Sequence, residues 1–333
     1  MDKIKFIYVL TSTINDTYYE QFLLSVTSFR LFNPDAQITV LVDSKTKQNL
    51  IDKRTAYEKL VSEIQVISPP DDLSQKEASR WIKTSIHHYV SGDFLYIDCD
   101  TIITEELLCN FPPDIKVGAV LDTHVTLDRH HLLENFQKED INTGFSSSLK
   151  SNIRYNGGLI FCRDDSTGRE FFEKWHSLWL EGRKKGCTQD MPSLNQANYE
   201  MGNIITELDG EWNCQISHNG LPYLSGAKII HYYATSLSSF EPAYALASTD
   251  ILLSIKKNGA ISNEVMELIK NPKAAFMEKS RIIADDVILD IIDSAFFQKL
   301  LWLRRNHEKL FFSLNKFISH IKKPWKTNQI QKK

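Results

Sequence analysis

The chain has 333 residues, 42% hydrophobic and 24% charged, which is enough apolar material for a folded core and excludes intrinsic disorder. Thirteen Gly and ten Pro are few for this length and argue against a turn-rich all-β architecture; no apolar run nears the roughly 18 residues needed to cross a bilayer. The net charge of −3 conceals a basic end: from Lys299 to Lys333 ten Lys/Arg face one acid, Glu308, while the rest of the chain holds the other 29 Lys/Arg and 41 Asp/Glu.

The first 120 residues predict alternating strands and helices. KFIYVLTS (5–12) reads as a first strand and not as a signal peptide, since polar residues follow at once with no small-residue cleavage site. Phe22, Val26 and Phe29, with Leu23 alongside, have helical spacing, and Asn33-Pro34 stops that helix. ITVLVD (38–43) is an uninterrupted apolar run of the buried parallel type. IQVIS (64–68) is the third strand. Ser74 followed by Glu77 is a capping box that opens a helix running to about Val90, and DFLYID (93–98) is the next strand. Repeated βα units specify an α/β fold with a mostly parallel central sheet, and such sheets bind ligands beyond the carboxyl ends of their strands. VGAVLD (117–122), YNGGLIFCR (155–163) and AKIIHYY (227–233) continue the strand set, with a helix from Gly168 to Trp179 between them. Beyond about 245 the pattern turns to long helices, so the expected division is a domain over 1–245 and a helical extension over 246–333. Five cysteines without a CxxC pattern predict reduced thiols and a cytoplasmic setting.

Five features can carry chemistry. Asp98 and Asp100 lie two apart at a strand end, where an extended chain turns both to one face; two converging carboxylates favour a divalent cation. The plain alternative is a cap and a turn residue. Asn156-Gly157-Gly158 at a strand mouth allows close backbone approach to a ligand, or is only a tight turn. His231 closes an apolar strand and is either a core residue or the neutral donor that an oxygen-rich cation site lacks. Asp190, in TQDMPSLNQA (188–197), is either a site acid or a helix cap. Arg80 shares its helix face with Lys83, Thr84 and His87, which by default is a solvated surface.

In this order the motifs resemble the nucleotide-sugar glycosyltransferases of the GT-A fold, most nearly family 8. The landmarks are YVLTS (8–12), Arg80 ahead of LYIDCDTII (95–103), NGGLIF (156–161), Gln189 to Asn195, Trp212-Asn213 and IIHY (229–232), over about 1–240. The resemblance implies that Asp98, Asp100 and His231 hold Mn²⁺ or Mg²⁺ bridging the diphosphate of a UDP-sugar, with Asp98 also near ribose or sugar. It implies Arg80 on sugar or phosphate, Asn156, Gly157 and Gly158 along the sugar pocket, Asp190 on sugar hydroxyls near the anomeric carbon, and Thr11 to Thr13 near the uridine. Asp190 and Asn156 are the residues it places at the chemistry. Two departures stand out. The family's Asp-Gln is Asp190-Met191 here. Its His–Gly-loop–Lys-Pro-Trp is also absent: Tyr232 to Ser236 follow His231 with no Lys, and the KKPW at 322–325 comes far later. Retention of configuration is implied by resemblance only. An inverting course would need an acceptor-side carboxylate, for which Asp190 and Asp122 are the candidates.

The expected activity is therefore hexosyl transfer from a UDP-sugar to a saccharide or lipid-linked acceptor, in the manner of bacterial surface-polysaccharide synthesis. The polar stretch 123–152, with His130 and His131, is expected to meet the acceptor. The segment 296–333 repeats apolar residues at helical spacing among Lys and Arg, which suits either an anionic membrane surface at the inner face of the cell membrane or packing on protein, including a second copy in a homo-oligomer. Nucleic acid is not an expected partner, because the basic residues are confined to the tail. Two rivals remain: a haloacid-dehalogenase-type phosphatase using IDCDTI with Asp285-Asp286, and a non-catalytic scaffold on the same fold.

Overall fold

The structure, a computed structural model, describes residues 4–233, 243–277, 286–292 and 294–320. Its strands are β1 (Lys5–Leu10), β2 (Ile38–Asp43), β3 (Glu63–Ile67), β4 (Phe94–Ile97), β5 (Thr101–Ile103), β6 (Val117–Leu121), β7 (Tyr155–Cys162), β8 (Ile205–Glu207), β9 (Cys214–Gln215) and β10 (Ile229–His231). The helices are α1 (Tyr18–Phe32), α2 (Ser44–Asn49), α3 (Gln75–Thr84), α4 (Leu133–Thr143), α5 (Ser147–Lys150), α6 (Ser166–Lys184), α7 (Asp190–Glu200), α8 (Thr249–Asn258), α9 (Asn263–Lys270), α10 (Asp286–Ile292), α11 (Ala295–Asn306) and α12 (Glu308–His320).

Seven strands form the central sheet in the order β3-β2-β1-β4-β7-β6-β8. All run parallel except β7, which is antiparallel to both β4 and β6. The doubly buried strands explain the unbroken apolar runs: alternate residues feed the two faces. Tyr8, Leu10, Val40, Val42, Leu95 and Ile97 pack with Phe22, Val26 and Phe29 of α1 on one side. Ile7, Val9, Leu41, Phe94 and Tyr96 pack with Ile82 of α3, Phe171, Phe172 and Trp175 of α6 and Leu194 of α7 on the other.

A second sheet, β5-β10-β9, is absent from the sequence reading. Its strands are two or three residues long, too short for a period to show. The turn Asp98–Asp100 carries the chain from β4 in the large sheet to β5 in the small one. The reversed β7 matters equally. Its start, Asn156-Gly157-Gly158, lies beside the end of β4, with Ile97 opposite Leu159 and Asp98 N–H donating to Gly158 O at 2.8 Å.

Contacts divide the chain at 282/283, not at 245. Helices α8 and α9 pack on α1 and so belong to the sheet-bearing unit. The stretch 123–152, read as polar connection, contains α4, ended by left-handed Gly144 (φ 74°), and α5. The second unit contains α10, α11 and α12. No helix among the described residues is long and apolar enough to cross a membrane.

Helix α3 starts with the predicted capping box: the Ser74 hydroxyl accepts from Glu77 N–H, and Glu77 Oε2 accepts from Ser74 N–H at 2.9 Å. Hydrogen bonds from Ser74, and then Arg183 at 2.7 Å, hold the Glu77 carboxyl down at about 2. Ser74→Ala is expected to cost about 1 kcal/mol in urea unfolding. A folded value below the ordinary 4.5 means that ionised Glu77 adds stability above that pH and loses it as pH falls toward 2. Acid unfolding of Glu77→Gln should therefore be shallower than wild type across that window; parallel curves would contradict the assignment.

Candidate functional site

Beyond the carboxyl ends of β1 and β4 lies a cleft of about 400 Å³, lined among others by Thr11, Tyr18, Arg80, Lys83, Asp98, Asp100 and Asp190. The sequence argument that an extended strand turns Asp98 and Asp100 to one face needs correction. Strand β4 stops at Ile97, and it is the turn into β5 that brings the two together. Their convergence with His231 follows from strand register. Strand β10 pairs antiparallel with β5, setting His231 opposite Thr101, and Tyr232 N–H donates to Asp100 O at 3.1 Å. His231 Nε2 then stands 3.3 Å from Asp100 Oδ1, and one ligand atom from each of Asp98, Asp100 and His231 lies within 4.8 Å of the others.

The imidazole is held from behind. Its Nδ1 is 3.1 Å from Asn213 Oδ1, and its ring stacks on Tyr233 at 4.0 Å with an 11° tilt. Burial acts to lower the His231 pKa, but the Asp100 carboxylate outweighs it and the net direction is upward. The converse holds at Asp100, where burial is overcome by His231 and the carboxyl is held below its ordinary value. Gly158 leaves the room for this ring: a Cβ there would meet His231 Cε1 at 2.4 Å.

Asn156, expected along the sugar pocket, is instead 2% exposed and fully engaged beneath the site. Its amide donates to Asp122 Oδ1 (3.0 Å) and the Tyr233 hydroxyl (2.8 Å), and its oxygen accepts from Gly158 N–H (2.8 Å) and Asn213 Nδ2 (3.0 Å). Gln215 completes this layer. Its Oε1 accepts from Thr123 N–H and from the Tyr233 hydroxyl, and its Nε2 donates to Leu121 O. Tyr233, Thr123 and His124 all have φ near +55° (56°, 53° and 56°), strained for side-chain-bearing residues, and these hydrogen bonds are what over-determine two of them. Asp122 is enclosed by Asn156, His130 (3.4 Å) and Arg154 (3.6 Å), so Asp122 and His130 are buried and engaged with protein groups.

Across the cleft, α3 and α7 supply a second cluster. Asp190 is the first residue of α7, not its cap. Lys83 Nζ lies 2.7 Å from Asp190 Oδ2 and 3.3 Å from Asp98 Oδ1, and Arg80 Nε lies 3.5 Å from Asp190 Oδ1. Burial acts to lower the Lys83 pKa and to raise that of Asp190; the opposed charges win in both, so the ammonium is held above and the carboxyl below its ordinary value. The Tyr96 hydroxyl donates to Asp98. Gly157 faces this cluster, where a Cβ would lie 3.3 Å from both Lys83 Nζ and Asp190 Oδ2. The sequence reading named Lys83 only as part of a solvated face. It is buried, and its signal was its place one turn after Arg80, ahead of the strand that leads to Asp98 and Asp100. Thr11 donates to Gln75 O and lines the cleft. Thr13 donates to Asp16 and lines an adjoining cavity of about 350 Å³ at the ends of β1, β2 and β3.

Two carboxylates and one imidazole form a mixed oxygen and nitrogen donor set that suits Mn²⁺ or Mg²⁺, so Asp98, Asp100 and His231 fit the ion that the fold implies. The phosphatase rival fits poorly: its acid pair should follow the first strand, whereas Asp98 follows β4, and Asp286 opens helix α10. Asp285, the KKPW segment and the loop after Tyr233 lie outside the described residues.

No protein-family model matches the chain, and no curated protein does. Solved structures do. The galactosyltransferase LgtC, solved with donor and acceptor sugar analogues, matches with a TM-score of 0.50 at 12% identity, over 79% of this chain and 99% of that one. An active-site mutant of LgtC matches at 0.51 and 13%, over 78% and 98%. Mouse xyloside xylosyltransferase 1, apo form, matches at 0.47 and 13%, over 70% and 98%. The chain shares the GT-A fold of LgtC.

Replacing Gly158 with Ala should drive the imidazole away from Asp100. Mn²⁺ affinity, read by electron paramagnetic resonance of the free ion, should weaken at least tenfold in a protein with unchanged circular dichroism. Unaltered affinity would show that His231 is not a ligand.

Proposed function

We propose that the chain is a metal-dependent glycosyltransferase that moves a hexose from a UDP-sugar to a saccharide or lipid-linked acceptor. The observation that carries this is the convergence of Asp98, Asp100 and His231 opposite Lys83, Arg80 and Asp190, at the carboxyl ends of β1 and β4 in a GT-A fold. In support, LgtC, which shares the fold, has been solved with donor and acceptor sugar analogues.

Breaking an anomeric bond to a diphosphate builds negative charge on the leaving group. Asp98, Asp100 and His231 would hold the divalent ion, which when bound supplies Lewis-acid stabilisation of that charge. Lys83 and Arg80 are cations that face the same place, the guanidinium by geometry suited to phosphate oxygens and the ammonium as a point charge. Asp190, kept ionised by both, can stabilise positive charge developing at the sugar carbon. The adjoining cavity beside Thr13 is continuous in position with the ends of β1 to β3, where the nucleoside half of the donor is assigned. Met191 gives no polar atom at the position of the family's Gln, so the stereochemical course is assigned as retaining by resemblance alone.

The tail is assigned to an anionic membrane surface. Within the second unit Phe296, Trp302, Leu310, Phe312, Leu314, Phe317 and Ile318 are exposed, and the surrounding sequence is strongly basic. Full-length protein should sediment with phosphatidylglycerol vesicles in a salt-sensitive manner, and a chain ending at residue 293 should not; equal sedimentation of both would remove the assignment.

UDP should raise the thermal midpoint only when Mn²⁺ is present, by an amount that at a hundredfold excess over Kd corresponds to about 2.7 kcal/mol. The response should vanish in Asp98→Ala and Asp100→Ala proteins that remain folded. Lys83→Met should weaken UDP binding at least tenfold while leaving uridine binding unchanged. A response that survives both aspartate replacements would end the proposal.

A further inference from the structure

A second group of potential ligands stands apart from the residues of the cleft, where α3 ends and the chain turns through Ile86–His88. His87 Nε2 lies 2.9 Å, and His88 Nε2 3.6 Å, from the same oxygen, Oε1 of Glu173 on α6. Neighbouring side chains usually diverge, yet these two rings lie 3.9 Å apart between centroids with both Nε2 atoms turned to one carboxylate. In a tetrahedral zinc site with bonds of about 2.0–2.1 Å, ligand atoms are about 3.3 Å apart, and 2.9 and 3.6 Å bracket that spacing.

A second observation points the same way. The His87 side chain is only 6% exposed, and neither of its ring nitrogens makes an aligned hydrogen bond with a described residue. Among the described residues Nδ1 has no hydrogen-bond partner and Nε2 meets a poorly aligned carboxylate 2.9 Å away, and a cation bound at Nε2 would relieve the cost of burying the ring in this way. His176, one turn beyond Glu173 on α6, has its Nδ1 2.7 Å from Thr84 Oγ1 at the end of α3, so the two helices are already joined beside this point.

We infer that His87, His88 and Glu173 form a second metal site, for a zinc-type divalent ion, that clamps the end of α3 to α6. Its two imidazoles and one carboxylate favour a borderline ion, whereas Asp98, Asp100 and His231 offer a harder, oxygen-richer set. The clamp would act on the helix that carries Arg80 and Lys83, one turn before His87. The inference stands on its own geometry and does not require the proposed transfer activity.

The test is competition for Zn²⁺ between the metal-free full chain and a chromogenic chelator. One zinc equivalent is expected to persist in Asp98→Ala/Asp100→Ala, where the other donor set is removed, and the remaining comparisons are made in that background. Affinity should fall at least tenfold in His88→Ala and in Glu173→Gln, whose side chains are 45% and 58% exposed. Zinc binding that is unchanged in both variants, or that disappears with Asp98 and Asp100, would overturn the inference.

Discussion

The site depends on one strand pairing. Strand β10 lies antiparallel on β5, and the register that sets His231 opposite Thr101 delivers an imidazole to a pair of carboxylates more than a hundred positions earlier in the chain. Nothing local could do this, because β5 and β10 have three residues each and neither could persist alone. What fixes them is burial of Ile102, Ile103, Ile229 and Ile230 against α1 and its neighbours in the larger core. The cleft is therefore preorganised by the same apolar packing that folds the domain, and the polar groups are passengers on that frame.

Behind the imidazole the polar layer is nearly closed. Asn213 sets one ring nitrogen, Asn156 ties Asn213 to Asp122 and Tyr233, and Gln215 ties Tyr233 to the backbone of Thr123. Such layers orient ligating side chains and keep their tautomers. They also explain how Tyr233 is held at positive φ, a backbone conformation that a bulky residue adopts only when its surroundings leave no alternative. Asn156 thus contributes by position. Two bonds given and two received leave its amide nothing to offer a sugar.

The sequence made the large sheet legible because buried parallel strands are long apolar runs and their helices carry caps and a 3.6-residue period. It also singled out Asp98, Asp100, Asp190 and His231, which the structure places around one cleft, since acids and imidazoles at strand and helix ends are visible without knowing what they face. Four things stayed hidden for physical reasons. The small sheet has no period to read. The strand-alternation account brings the two aspartates together by a mechanism that the turn at Asp98–Asp100 replaces. And Lys83 looked solvated because lysines usually are; only the tertiary structure shows it sealed between α7 and Tyr96, its Nζ 4.8 Å from the ring centroid. The reversal of β7, which gives the Asn-Gly-Gly turn its place, is likewise a property of topology that local sequence does not encode.

Lys83 also bears on why the cleft is there at all. A buried ammonium between two carboxylates contributes little net stability, since the attraction roughly offsets the cost of removing three charges from water, and apolar residues of similar size often do as well or better. Helix α3 has a capping box and an apolar face with Ala78 and Ile82 to hold it on the sheet, so folding does not require Lys83. Nor does it require Arg80 and Asp190, which lie partly open to the cleft. Three ionised groups kept at the edge of a cavity, where fold stability gains little from them, are what the proposed diphosphate-linked sugar, with its negative charge and its hydroxyl groups, would account for.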